Sequence, residues 1–105
     1  MENLFTFNAV WLVYVLKLED ECYYVGVTSN LNVRLGQHLE GSGAIWTRMH
    51  RIVGIEEVRF GNRQTEDQIT KEYIKKYGGD KVKGGSWTKV SKKIAIEYWL
   101  KQISI

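Results

Sequence analysis

Residues 11 to 18, WLVYVLKL, are nearly all apolar and β-prone, the pattern of a strand covered on both faces. Residues 22 to 27, CYYVGV, predict a second strand, with Glu19 and Asp20 in the turn between them. The length of that turn decides how Tyr14 and Tyr24 relate. An odd number of loop residues pairs Lys17 with Glu21 and sets Tyr14 opposite Tyr24 on one face, whereas a two-residue loop sends them to opposite faces. The Lys17–Glu21 charge match favours the odd register.

The next stretch, TSNLNVRLGQHLEGSG, predicts a helix capped by Thr28, Ser29 or Asn30 and stopped by Gly41. Leu31, Leu35 and Leu39 recur every four residues as its buried stripe, with Arg34 and His38 one turn apart at the edge. GAIWTRMHR follows as a short basic connector, then IVGIEEVRF as a third strand. TEDQITKEYIKKYGG predicts a helix over 65–77, with Thr65 as cap and Gly78-Gly79 as stop. At about 100° per residue from Ile69, Tyr73 falls at about 40°, Tyr77 at about 80° and Ile74 at about 140°. Glu66, at about 60°, lies inside this apolar arc, and Glu72, at about −60°, lies outside it. A carboxylate on a buried arc needs a cation or a helix-end role, because an unpaired buried charge is costly. DKVKGGSW reads as a glycine-broken loop, and SKKIAIEYWLKQISI as a closing helix over about 91–103. The elements mix strands and helices, an α/β (α+β) pattern.

At 105 residues the chain is expected to be a single domain over 1–105, with a modest core and room for a cleft beside it. It contains no proline, and no apolar run approaches the roughly 18 residues of a membrane span. The start, MENLFTFNAVW, has an acidic second residue and no basic n-region, so no signal peptide is expected and a cytoplasmic location is. Cys22 is the only cysteine, which excludes an internal disulfide and a cysteine-based zinc site. From Lys71 onward nine lysines face three acids, while the first seventy residues hold six basic and nine acidic groups. That lysine-rich last third is either a solvated helix face or a surface that prefers polyanions.

A strand with Val13-Tyr14-Val15, then Tyr24-Val25-Gly26, then Thr28, Asn30, Arg34 and His38 resembles the GIY-YIG nuclease family. The arginine stands ten residues after the second tyrosine, at the family's usual spacing. GSGAIWTRMHR is similar to the family's glycine-alanine-aromatic-threonine-arginine stretch. Glu66-Asp67 through Tyr77-Gly78 to VKGGSW resembles a phage and large-virus subgroup with a YG…V(R/K)GGS tail. The likeness runs over residues 11 to about 87.

The resemblance implies a three-stranded antiparallel sheet flanked by helices, and cleavage of phosphodiester bonds with one divalent metal. Tyr14 and Tyr24 would line the cleft, Arg34 would reach the scissile phosphate, and an acid on the later helix would hold the metal. Two positions depart from the pattern: Val27 stands where many members have lysine, and Lys71 where the commoner acid would fall. The metal ligand is then Glu66, or Glu72 with a one-residue shift, or is lost.

The chemistry is coherent in its own right. Hard carboxylate oxygen suits Mg²⁺ or Mn²⁺, and Arg34 offers a donor fork matched to phosphate. Tyr14 could act as general base if Arg34 and a metal lower its pKa, with Tyr24 positioning. His38 either contacts a phosphate or a neighbour of Arg34, or is a surface histidine. The resemblance implies that Gly26, Thr28 and Asn30 would face the nucleic acid. Trp46 either packs on the sheet or, with Arg48, His50 and Arg51, stacks and grips a nucleic-acid strand. Lys81 and Lys83, with Gly84-Gly85, could bring cations and backbone amides to a phosphate. The expectation is a DNA endonuclease, with RNA as another substrate class and a protein partner as one source of specificity. The alternatives are a GIY-YIG-like module that binds without cutting, or a small basic adaptor for RNA or protein.

Overall fold

The computed structural model describes residues 9–88 together with Ile96 and Leu100. The closing helix expected over 91–103 lies, apart from those two positions, outside the described residues. The elements run β1 (Leu12–Leu18), β2 (Cys22–Thr28), α1 (Leu31–Glu40), α2 (Ile45–Met49), β3 (Ile52–Phe60), α3 (Arg63–Tyr77) and β4 (Val82–Gly84). One four-stranded sheet has the order β3-β1-β2-β4. Among the described residues no helix is long and apolar enough to cross a membrane.

β1 is central and buried on both faces, as its unbroken apolar run requires. The loop to β2 has three residues, Glu19–Glu21, with Asp20 and Glu21 in the left-handed region. Its odd length fixes the register at Leu18↔Cys22 and puts Tyr14 and Tyr24 on one face. The partners differ from those expected: Tyr14 faces Gly26, Leu16 faces Tyr24, and Lys17 faces Tyr23 rather than Glu21. Glu21 is consumed by the loop itself, so the tyrosines sit diagonally across the strand pair.

The expected three-stranded antiparallel sheet gains a fourth strand. Val82–Gly84 pairs parallel to Tyr23–Val25, where the glycines had suggested a loop. Val82 is fully buried and supplies the reason. This strand covers only part of β2, so among the described residues no strand pairs with Gly26–Thr28 on that outer edge.

Each sheet face carries its own core. Val13, Val15, Tyr23, Val25 and Val82 pack against Ile69, Tyr73, Ile74 and Tyr77 of α3. Tyr14, Leu16, Leu18, Cys22, Tyr24 and Trp46 pack against Leu31 and Leu35 of α1. Leu39 departs from the predicted stripe: it is 75% exposed, and His38 takes the buried position instead. α1 starts where predicted, with Asn30 capping through its side chain onto Val33 N–H, and it ends at Gly41. α3 starts earlier than predicted. Asn62 rather than Thr65 is the cap, and Thr65 closes a capping box from the third helical position.

Candidate active site

The site is built where Gly26 leaves β2 bare. Tyr14 lies directly over Gly26, so a Cβ there would overlap the phenol oxygen and ring of Tyr14. Only glycine allows this approach. Gly26 therefore shapes the site by receding.

Tyr14 and Tyr24 are buried, with ring centroids 6.3 Å apart. His38 of α1 meets both rings edge-on, at 5.2 Å from Tyr24 and 5.8 Å from Tyr14. Its Nε2 is 2.7 Å from Tyr14 Oη, and its Nδ1 is 3.2 Å from Thr47 Oγ1. The direction of these bonds follows from Thr47. Its hydroxyl donates to Ala44 O at 2.7 Å, so it has only lone pairs left for the imidazole. Nδ1 must then carry the proton, which leaves Nε2 as acceptor for the Tyr14 hydroxyl. Burial, with Arg34 adding to it, pushes the His38 pKa down to about 4, so the ring is neutral near pH 7. His38 is thus the buried hydrogen-bond partner of Tyr14 rather than a surface histidine.

Arg34, one turn before His38, donates from Nη1 to Gln37 Oε1 at 2.8 Å and lies against the phenols of Tyr14 and Tyr24. Burial nonetheless raises the pKa of both tyrosines, outweighing Arg34. Arg34 favours the Tyr14 phenolate as expected, but burial and Tyr24 outweigh it, so Arg34 by itself does not ionise the phenol. Glu66, in the first turn of α3, is close enough to raise both tyrosines electrostatically. It is half-buried, and burial followed by Asp67 holds its carboxyl above the usual range, while Gly85 N–H and Arg63 pull the other way. Among the described residues no lysine or arginine forms an ion pair with Glu66. Glu72 lies elsewhere, exposed and 3.7 Å from Arg59.

These donors fit a hard divalent cation. Among the described residues no three His, Cys, Asp or Glu side chains form a cage. A single half-buried carboxylate with no lysine or arginine at ion-pair distance among the described residues is the donor set Mg²⁺ accepts when water and substrate oxygens complete its shell.

The remaining expected contacts divide. Trp46 is 1% exposed and donates from Nε1 to Tyr23 O, so it packs on the sheet and does not stack on bases. Thr28 and Asn30 bond each other at the start of α1. Lys83 Nζ reaches Gly79 O and lies over the Trp46 ring. The amides around Gly84-Gly85 serve the fold: Gly84 N bonds Trp87 O, and Ser86 N bonds Asp67 Oδ1 at 2.9 Å. Arg48 and Arg51 are exposed and line an open cavity of about 490 Å³ on the Thr47 side of His38, with Arg51 paired to Glu19.

Thr47 and Asp67 were not singled out from the sequence. A buried histidine needs partners on both nitrogens, and only the fold reveals that His38 is buried. Asp67 clips Ser86 through both carboxylate oxygens, which brings Gly85 N–H towards Glu66. Gly85 has φ +52°, and a Cβ there would collide with Asp67 Oδ1. The adjacent acid and the GGS tail were the signal for this clip.

Residues 10–98 match the model of the GIY-YIG catalytic domain. The chain belongs to the GIY-YIG family. A UPF0213 protein of Clostridium perfringens is 41% identical over 64 residues, which is 61% of this chain and 69% of the relative. One from Fusobacterium nucleatum is 35% identical over 71 residues, 63% and 70% of the two chains. A viral one, from Orgyia pseudotsugata multicapsid polyhedrosis virus, is 49% identical over 37 residues, 35% and 36% of the two chains. No solved structure gives a significant match. In this GIY-YIG chain the two motif halves are β1 and β2, and their tyrosines converge on α1 across Gly26.

Proposed function

We propose that the protein is a metal-dependent endonuclease that hydrolyses DNA phosphodiester bonds. The observation that carries this reading is the Tyr14–His38–Thr47 hydrogen-bond chain, with Arg34 against both phenols and Glu66 facing them.

Hydrolysis needs a deprotonated water, charge stabilisation on the phosphoryl oxygens and help for the departing alkoxide. A protonated Tyr14 can still accept the water's proton if it releases its own. As the attacking water gives a proton to Tyr14 Oη, the phenolic proton moves along the 2.7 Å hydrogen bond to His38 Nε2. No free phenolate forms, and Thr47 keeps its bond to Nδ1–H throughout. The anionic phosphodiester on the far side of Tyr14 favours the resulting imidazolium. Arg34 would offer its guanidinium to the non-bridging oxygens, with its Nη1 held by Gln37. Tyr24 supplies a second hydroxyl beside Arg34 and orients the phosphate. Glu66 would hold Mg²⁺ or Mn²⁺, which when bound supplies Lewis-acid stabilisation to the phosphoryl and leaving oxygens.

Arg34→Ala should slow nicking of supercoiled plasmid by roughly 10²–10³-fold, the scale for loss of one oxyanion donor. The loss should fall mainly in kcat, and Arg34→Lys should recover little of it, since a point charge lacks the planar fork. A variant that cuts at the wild-type rate would remove Arg34 from the chemistry. If the wild type cuts nothing yet binds DNA with a steep salt dependence, the reading reverts to a binding module.

A further inference from the structure

β3 stands at one end of the sheet, and among the described residues no strand pairs with its outer edge. Long free edges invite pairing with another chain, and proteins commonly break them with bulges or charge. In β3 the register shifts against β1 fall between Ile52 and Glu57, so the run from Glu57 to Phe60 stays regular. Gly61 N–H bonds Trp11 O next to the Leu12↔Phe60 pair, so Arg59 and Glu57 are the residues that bond β1. Val58 and Phe60 therefore turn their N–H and C=O groups outward, away from the sheet.

The side chains of this edge divide by face. Val58 stands opposite Tyr14, Phe60 opposite Leu12 and Ile55 opposite Leu16, all on the face that carries α1. They are 42%, 80% and 49% exposed, an apolar strip along the edge. Glu57 and Arg59 lie on the α3 face, opposite Val15 and Val13, where they pair with each other and Tyr73 bonds Glu57. One face is apolar and the other carries one charge of each sign, so the edge can complement itself, as a two-fold interface requires.

A two-fold antiparallel pairing of this edge centres on one residue, and the charges decide which. Centred on Glu56, Glu57 or Arg59, it sets a like charge against itself. Centred on Ile55 or Phe60, it runs into the register shifts or past the end of the strand. Centred on Val58, it sets Glu57 of each copy opposite Arg59 of the other. Val58 then meets its own copy through two outward hydrogen bonds, and each Phe60 reaches the other Val58 on the diagonal.

We propose that β3 is the contact edge of a symmetric dimer, with Glu57–Phe60 paired antiparallel to the same run of a second copy about Val58. The two sheets become one of eight strands. Tyr14, next to Val58 in each copy, then lies on the same face as its counterpart, three strand spacings or about 14 Å away. The joint is short, so a dimer in exchange with monomer is expected rather than a permanent one.

The test is sedimentation of the full chain from about 1 to 300 µM, which spans weak association. The wild type should pass from monomer to dimer within that range. Glu57→Arg and Arg59→Glu should each weaken the dimer by about 10-fold, because like charges then face each other twice. Mixed in equal amounts, the two variants should form a heterodimer at near wild-type strength, since their charges are again opposite. A purely structural role for either residue gives no such recovery. Val58→Cys should oxidise to a disulfide-linked dimer, whereas Phe60→Cys, at a more exposed position, should link far less because Glu56 stands opposite it. That arm leaves the charges intact, so it decides the matter if a thermal melt shows that a charge variant does not fold. A chain that stays monomeric throughout, as when its own residues 89–105 cover the strip, would overturn the proposal. So would variants that fail to recover on mixing, or equal cross-linking at the two cysteine positions.

Discussion

Glu66→Ala should bring plasmid nicking down to the no-enzyme background, while Glu72→Ala should cut within about 2-fold of the wild type. The two acids lie on one helix and differ in what surrounds them. Glu66 is half-buried, faces Tyr14 and Tyr24, and has no lysine or arginine at ion-pair distance among the described residues, Arg63 acting on it only from farther off. Glu72 is exposed and pairs with Arg59, as surface carboxylates commonly do at little energetic consequence. Removing Glu66 takes away the carboxylate that would hold the metal, and with it several kcal/mol of charge stabilisation in the transition state. The measurement is initial nicking rate over a range of Mg²⁺ concentrations. Partial rescue of Glu66→Ala by high Mn²⁺ would support a ligand role. Equal damage from both variants would contradict it, as would greater damage from Glu72→Ala.

Tyr14→Phe should lower the single-turnover rate by about 10²–10⁴-fold with little change in DNA affinity, because it removes one hydroxyl and no charge. Ring packing over Gly26 survives this change, so the fold should too. The pH profile adds a second reading. His38 is held down to about 4, below the ordinary value of about 6.5, so the neutral acceptor form persists above about pH 4 and is lost below it. The acid limb of kcat/KM, which reports the free enzyme, should therefore lie well under pH 6. A limb near pH 6.5 that vanishes in His38→Asn would mean that His38 is solvated rather than buried behind Tyr14. Wild-type turnover by Tyr14→Phe would end the proton-relay account.

Much of the architecture was legible in the chain. The unbroken apolar run of β1, the Gly41 and Gly78 stops and the third strand appear where pattern and turn chemistry place them. The odd loop was also readable, since a period of two makes loop parity decide which face a side chain takes. What escaped depended on contacts distant in sequence. β4 is three residues long and carries a single buried apolar side chain, too little for a periodic signal. The α1 stripe misled because helix spacing ranks Leu39 and His38 as neighbours, and only the two polar partners of His38 make its burial affordable.

The site was legible to a similar depth. Tyr14, Tyr24, Arg34, His38 and Glu66 converge, as the spacing and the helix arc suggested. The expected binding surface fared less well. Trp46 is a core residue, and the glycine pair binds its own chain, because a tryptophan in a basic stretch and a bare GG cannot reveal their partners from sequence. Trp11 and Arg63 went unremarked for the same reason. Each is ordinary until the fold sets them side by side around one small notch.

The most direct test of the central claim is nicking of supercoiled plasmid by the purified wild-type chain, with Mg²⁺, Mn²⁺ or EDTA in parallel. Conversion to open circles with either metal, and none in EDTA, is the predicted result. Nicking that persists unchanged in EDTA would contradict a metal-dependent phosphodiesterase built on Glu66.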